Sequence, residues 1–262
     1  MSTIAILQAR MSSSRLPGKV LRPILGKPML ARQIERIGRA KSLDKIVVAT
    51  STALEDDAIP ALCDDLDVAC FRGSLDDVLD RVNACAEAFG TSHVVRLTGD
   101  CPLTDPDVID LVVNAHLDGM ADYTSNVHPP TWPDGLDVEV IRRDVLTAAA
   151  AEALLPSERE HVTPFITARA DRFTLVNVHT APDRSALRLT VDEPQDLKLI
   201  AEIFAALSPS QPDFGIDAVL DLLERRPELL SINAGIDRNE GMKRSHRQDA
   251  DFLPEGIAKD AP

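Results

Sequence analysis

TIAILQARMSSSRLPGKVLRPILGKPMLARQIER, residues 3–36, runs from an apolar stretch through a polar, cation-rich loop into a helix-like pattern. Residues 3–9 hold Ile and Leu without helical punctuation and end in the polar loop 10–18, as a buried parallel strand feeding a loop would. Over 28–39, apolar residues recur at Met29, Leu30, Ile34 and Ile37, a helical spacing with Pro28 in the first turn. The unit is strand, loop, helix. Arg10, Arg15, Lys19, Arg22, Lys27 and Arg32 all precede its first acidic residue, Glu35.

The chain as a whole has the opposite bias: 42 Asp and Glu against 28 Lys and Arg give a formal net charge of -14 over 262 residues. Such a surface repels the phosphate backbone of nucleic acid, which is therefore not an expected partner. A small polyanion responds to the local field instead, and the stretch holding Arg10, Arg15, Lys19 and Arg22 carries no compensating carboxylate. It reads as a site for a nucleotide or another small phosphate. The plainer reading, a solvated basic loop, fits the charge equally well, and the position after the first strand is what favours a site. Hydrophobic residues make up 44% of the chain, enough for a sizeable core. No apolar run nears the ~18 residues that span a bilayer, and no charged leader with a cleavage site heads the sequence, so no membrane partner and a cytoplasmic location are expected. Cys63, Cys70, Cys85 and Cys101 lack CxxC spacing and are expected to be reduced, mostly buried residues.

The strand and helix patterns go on alternating: strands at 45–49, 68–72 and 93–97, helices at 54–64, 75–89 and 105–116, the last with Thr104 as a plausible N-cap. Right-handed crossovers and a mostly parallel sheet follow. From 121 the rhythm changes. Two β-like stretches, 122–126 and 136–141, flank the turn-rich VHPPTWPDG (127–135), expected as a lid or substrate wall. A helix at 143–155, strands at 173–178 and 187–191, and helices from 193 and over 216–226 complete a mixed sheet in an α/β domain of residues 1–232. Residues 233–262 are polar and aperiodic and are expected to form an extended or flexible C-terminal tail.

Three motifs carry chemistry. QARMSSSRLPGK (8–19) is neither a Walker loop nor a GxGxxG fingerprint. It offers three serines with Arg10, Arg15 and Lys19 at the carboxyl edge of a sheet, where backbone amides and cations can hold a triphosphate. TGDCPL (98–103) places Asp100 just past a strand end, where Gly99 permits close approach; Asp100 suits Mg²⁺, a hard cation that prefers oxygen ligands, or the cap of the next helix. LTVDEPQDL (189–197) places Asp192 likewise, as a second metal ligand or as an N-cap before Glu193 and Pro194.

These motifs, in this order, resemble the cytidylyltransferases that activate acidic sugars, the CMP-sugar synthetases. The branch named after spore coat polysaccharide biosynthesis protein F is the most similar: QARMSSSRLPGKVL, RGSLDDVLDR, RLTGDCPL, REHVTP and RLTVDEPQDL look like its signatures, and the likeness covers about residues 3–207. It implies a nucleotide-diphospho-sugar transferase fold, a GT-A-like three-layer sandwich. It also implies attack of an acceptor oxygen on the α-phosphate of CTP with release of pyrophosphate, in surface polysaccharide or glycan biosynthesis. By resemblance Arg10, Ser13, Arg15 and Lys19 line the triphosphate, with Arg15 and Lys19 in the catalytic role, and Asp100 and Asp192 hold Mg²⁺. Arg72, Ser74 and Asp77 would lie near the base or ribose. SEREHVTP and PDGLDVEV supply Asp134, Asp137, Arg159, Glu160 and His161, of the kind that positions a small acidic-sugar acceptor or acts as a base, and a homodimer is expected. Thr98 stands where the sugar-acid synthetases often carry Gln. Two other readings remain open. One is a metal-dependent glycosyltransferase using a nucleotide sugar, with Asp105-Pro106-Asp107 as the nearest Asp-x-Asp motif. The other is a non-catalytic nucleotide-binding protein on the same fold.

Overall fold

The run at the head of the chain forms strand β1 (Thr3–Gln8), buried on both faces. Its two-residue period divides the molecule: Ala5 and Leu7 pack with Met29, Leu30 and Ile34 of helix α1 (Met29–Ile37), while Ile4 and Ile6 face a second core. A strand apolar on both sides must lie inside a sheet covered by helices on both sides. The computed structural model describes residues 2–236 and 240–252.

Between β1 and α1 come a 3-10 turn (Lys19–Leu21) and a short hairpin of β2 (Pro23–Ile24) and β3 (Lys27–Pro28). The alternation continues through β4 (Lys45–Ser51), α2 (Ala58–Asp65), β5 (Ala69–Gly73), α3 (Val78–Ala88), β6 (His93–Thr98) and α4 (Pro106–Gly119). The second half adds β7 (Tyr123–Ser125), β8 (Glu139–Arg142), α5 (Arg143–Glu152), α6 (Pro156–His161), α7 (Pro164–Thr167) and β9 (Leu175–Asn177). Helices α8 (Pro194–Leu207), α9 (Ile216–Arg225) and α10 (Glu240–Phe252) follow. The main sheet has the order β5-β4-β1-β6-β8-β7-β9, with β8 antiparallel to both neighbours and the other pairings parallel. Helices α1, α4, α8 and α9 cover one face and α3, α5 and α7 the other, the three-layer, mostly parallel arrangement expected from the sequence.

Register positions the site. Gln8 stands opposite both Ala49 and Thr98, so β1, β4 and β6 end at one level and release their loops at the same edge. Gly99 allows the tightest approach there: its N–H donates to Gln8 O at 2.8 Å, and a Cβ would meet that oxygen at 2.9 Å. Gly135 does the same for a second pair of loops, with φ +105° and a Cβ position only 2.6 Å from the backbone of Leu189 and Thr190.

Four local expectations are corrected. Asp105 rather than Thr104 caps α4, accepting from the N–H groups of Asp107 and Val108; the Thr104 hydroxyl donates to Cys101 O instead. The segment 187–191 joins no strand of the sheet, because its N–H groups are taken by two loops: Leu189 by Asp134 O at 2.7 Å and Val191 by Asp100 O at 2.8 Å. VHPPTWPDG, expected as a lid or substrate wall, contributes no residue to the lining of the cavity described below. Trp132 Nε1 donates to Val178 O, and Trp132 and Pro133 line a separate cavity of about 560 Å³. The expected tail from 233 includes α10, which docks on α6 where Asp249 accepts the Ser157 N–H at 2.9 Å. Residues 237–239 and 253–262 of that stretch lie outside the described residues.

A buried histidine pair lies under the amino end of β6. His93 Nδ1 is 3.1 Å from His116 Nε2, and His116 Nδ1 is 3.1 Å from Thr124 Oγ1, so the pair fits together with both rings neutral. Burial first, then His93 and Arg142, push the His116 pKa down to about 4. A folded-state pKa below the unfolded value adds stability that is present above about pH 6.5 and lost as pH falls towards 4. Urea unfolding at pH 4.5 should therefore show a loss of about 2–3 kcal/mol relative to pH 7 from this group alone. A His116→Gln variant should lack that part of the loss; equal pH dependence in the two proteins would refute the assignment.

Candidate active site

The loop after β1 is tied down at both ends. Asp56 accepts the Met11 N–H at 2.6 Å and the Ser51 hydroxyl at 2.5 Å, while Gly18, at φ +68°, donates to Met11 O and turns the chain into the 3-10 segment that carries Lys19. The Ser13 hydroxyl accepts from Leu16 N–H at 3.3 Å. Lys19 is thereby aimed across the edge of the sheet. Its ammonium donates to Asp100 Oδ2 at 3.1 Å, Asp192 Oδ1 at 2.9 Å and Val191 O at 2.9 Å. Burial alone would lower the Lys19 pKa, but the two carboxylates outweigh it and raise it. Burial likewise opposes ionisation of Asp100, yet Lys19, Thr98 and Cys101 hold its pKa down at about 2.

Asp192 is not the cap of α8. Glu193 takes that position, and Asp196 reaches back to accept the N–H groups of Asp192 and Glu193, each at 2.9 Å. The Asp192 carboxylate is left for cations: Lys19 on one oxygen, Arg15 (3.0 Å) and Arg188 (3.1 Å) on the other. Arg188 is a hub that the sequence reading did not single out. Its side chain is 9% exposed and pairs with Asp134, Asp192 and the fully buried Asp196; burial opposes its charge, but these carboxylates raise its pKa.

A cavity of about 490 Å³ opens beside this cluster. One side is the loop, with Arg10, Ser12, Ser13, Ser14, Arg15 and Lys19; another is α3, with Val78 and Arg81. Gln8, Arg96, Thr98 and Asp100 form the floor, and Asp192, Glu160 and His161 complete the rim. Arg81 is almost fully buried, donates to the Ser74 and Leu75 carbonyls, and has its pKa pushed down to about 10 by burial and by Arg10. Beneath Arg96, Glu139 takes the guanidinium on one oxygen and the hydroxyls of Tyr123 (2.6 Å) and Thr163 (2.8 Å) on the other. At the rim, Ser245 of α10 lies 2.9 Å from His161 Nε2 and donates to Glu160 Oε2 at 2.5 Å.

Of the residues named from sequence, Arg10, Ser13, Arg15, Lys19, Asp100, Asp192 and His161 meet at this cavity, as does Glu160, read from SEREHVTP beside His161. The others do not line it. Arg72 donates to the Ser51 and Ala53 carbonyls and pairs with Asp57. The Ser74 hydroxyl accepts from Asp77 N–H, and Asp77 caps α3 and pairs with Arg159, so these three fasten α3 to α6. Asp134 is engaged by Arg188, and Asp137 stands near enough to Cys101 to help raise its thiol pKa. Burial is the main cause of that rise, which keeps Cys101 a protonated thiol. Missed as site residues were Gln8, Arg81, Arg96 and Arg188. For Arg96 and Arg188 a signal existed, a charge within an otherwise apolar strand-like run.

The donor set suits Mg²⁺: two carboxylate groups from separate loops converge on a single cationic atom, and hard oxygen ligands are what this ion prefers. Among the described residues no cluster of three His, Cys, Asp or Glu side chains offers a closed metal cage.

The cytidylyltransferase family profile matches residues 4–221. Spore coat polysaccharide biosynthesis protein SpsF of Bacillus subtilis is 35% identical over 231 residues, covering 85% of this chain and 94% of that protein. A 3-deoxy-manno-octulosonate cytidylyltransferase of Anaeromyxobacter sp. (strain K) is 30% identical over 249 residues, covering 87% and 98%. The solved structure of a cytidylyltransferase from Leptospira borgpetersenii superposes with a TM-score of 0.85 at 29% identity, covering 90% of this chain and 99% of that one. The sheet and its helices are thus of the nucleotide-sugar transferase type, and the chain belongs to the cytidylyltransferase family.

Proposed function

We propose that the protein transfers CMP from CTP to an acidic sugar or related acceptor with release of pyrophosphate, as a cytoplasmic homodimer working in surface polysaccharide or glycan biosynthesis. The observation that carries this reading is the Lys19 ammonium held between Asp100 and Asp192 beside Arg15, at the mouth of a cavity whose other cations are Arg10, Arg81 and Arg96. Relatives named for ulosonic-acid activation and for a spore coat polysaccharide support the acceptor class.

In this reading Arg10, Arg15, Lys19 and the serine-rich loop grip the triphosphate and align its α-phosphorus with an acceptor hydroxyl. The acceptor oxygen forms a new P–O bond and gives up its proton, and the bond from the α-phosphorus to the bridging oxygen breaks. The electron pair leaves with pyrophosphate, whose developing charge Lys19 and Arg15 stabilise. Asp100 and Asp192 would hold Mg²⁺, which supplies further positive charge to the phosphate oxygens when bound. Alignment and charge do most of the work.

The glycosyltransferase alternative loses its sequence support, because Asp105 is 2% exposed, caps α4, accepts the Ile216 N–H at 2.6 Å and does not line the cavity.

Pyrophosphate release measured with each of the four NTPs and a set of sugar acids should occur with CTP and only when an acceptor is present. Release of UDP from a UDP-sugar instead would overturn the proposal. Asp100→Asn should lower Mg²⁺-dependent turnover by roughly 100-fold or more while circular dichroism stays unchanged; full activity in that variant would refute the metal assignment.

A further inference from the structure

The cavity floor has an unusual polarity. Arg96 follows the same face of β6 as Thr98, and its side chain is 10% exposed. Two of its three nitrogens are engaged: Nε donates to Gln8 Oε1 at 3.0 Å and Nη1 pairs with Glu139 Oε2. Among the described residues Nη2 has no partner, and Arg96 lines the cavity. Guanidinium Nε–H can only donate, so Gln8 must accept with its oxygen, and its amide nitrogen becomes a donor. That nitrogen also has no partner among the described residues, and Gln8 lines the cavity too. Nε and Nη2 share one edge of the guanidinium fork, so the Gln8 amide lies beside the unengaged Arg96 nitrogen.

Beneath this pair the acceptor is already engaged. Glu139 is ionised, held so by Arg96 and its hydroxyl donors against the opposing effect of burial, and both of its oxygens are taken by Arg96, Tyr123 and Thr163. Gln8 and Arg96 thus offer only donors, on a support that cannot turn. A cytosine edge combines acceptors with an amine donor, and these two residues match only its acceptors. The phosphates have their own cations in the loop after β1. A carboxylate has acceptors alone, and a guanidinium beside an amide suits it.

We propose that Arg96 Nη2 and Gln8 Nε2 bind the carboxylate of the group that receives CMP, so that the acidity of the acceptor is read by a fixed pair of donors, with Glu139 as the positioning residue that sets the guanidinium plane. This rests on the nucleotidyl-transfer reading of the site.

The test uses CTP with Mg²⁺, two probe acids, 3-deoxy-manno-octulosonate and N-acetylneuraminate, and the C1 methyl ester of each. Binding is followed by calorimetry and turnover by pyrophosphate release. The wild type should bind at least one acid and neither ester. Gln8→Glu still accepts from Arg96 Nε but replaces the outward donor with an anionic oxygen. It should weaken the acid about 10- to 100-fold and change CTP affinity by less than about threefold. Arg96→Lys keeps a cation for Glu139 without the second donor and should shift the acid in the same direction. CTP binding reports that each variant retains its fold. An ester that binds as well as the acid, acid affinity that survives both substitutions, or an equal loss of CTP affinity would overturn this assignment while leaving nucleotidyl transfer intact. Absence of pyrophosphate release from CTP with either acid would overturn the functional reading and this inference together.

Discussion

A single ammonium group holds the working edge of the molecule together. Lys19 meets Asp100 across 81 residues of sequence and Asp192 across 173, and it also takes the Val191 carbonyl. Withdrawing a cation from water opposes its charge, and only opposite charges and good hydrogen-bond geometry at close range reverse that. The three loops that deliver these groups are therefore tied to one another by charge as well as by the packing beneath them. Much of the surrounding detail serves that constraint. Gly99 lets β6 end against β1, Gly135 lets the 187–191 segment lie close, and Asp196 takes over the backbone N–H groups that would otherwise engage Asp192.

The opposition between an acidic chain and a cationic cavity is resolved in the same place. Arg10, Arg15, Lys19, Arg81 and Arg96 line one concave surface, whereas many of the acidic residues sit on helix surfaces such as those of α2 and α9. Low-dielectric walls focus the local field, so a small anion experiences the cavity rather than the net charge.

Much of this was legible in the sequence, for reasons of period and position. Alternating strand and helix patterns require a parallel sheet, and loops after its strands must emerge at one edge, which placed Lys19 and Asp100 within reach of each other, whereas Asp192 reaches them from a segment that is not a strand. What sequence could not reveal was which long-range partner each polar side chain would choose. Asp77 and Arg159 each looked like site residues and instead neutralise one another across 82 positions. Arg96 and Arg188 were visible as charges in apolar surroundings, which demand a buried partner, yet Glu139 and Asp196 could be found only once β8 and α8 were in place. Helix α10 was hidden for a related reason: its sequence is largely polar, and its order comes from docking on α6.

That docking has a consequence for the order in which the protein is completed. The loop after β1, the end of β6 and the turn before α8 all precede residue 200, yet the Asp192 turn is braced by Asn233, which donates to Asp196 and to the Arg188 carbonyl. The rim at Glu160 and His161 is completed by Ser245, which follows in sequence every described residue that lines the cavity. The opening of the cavity is thus finished by a helix that is made after the residues lining it.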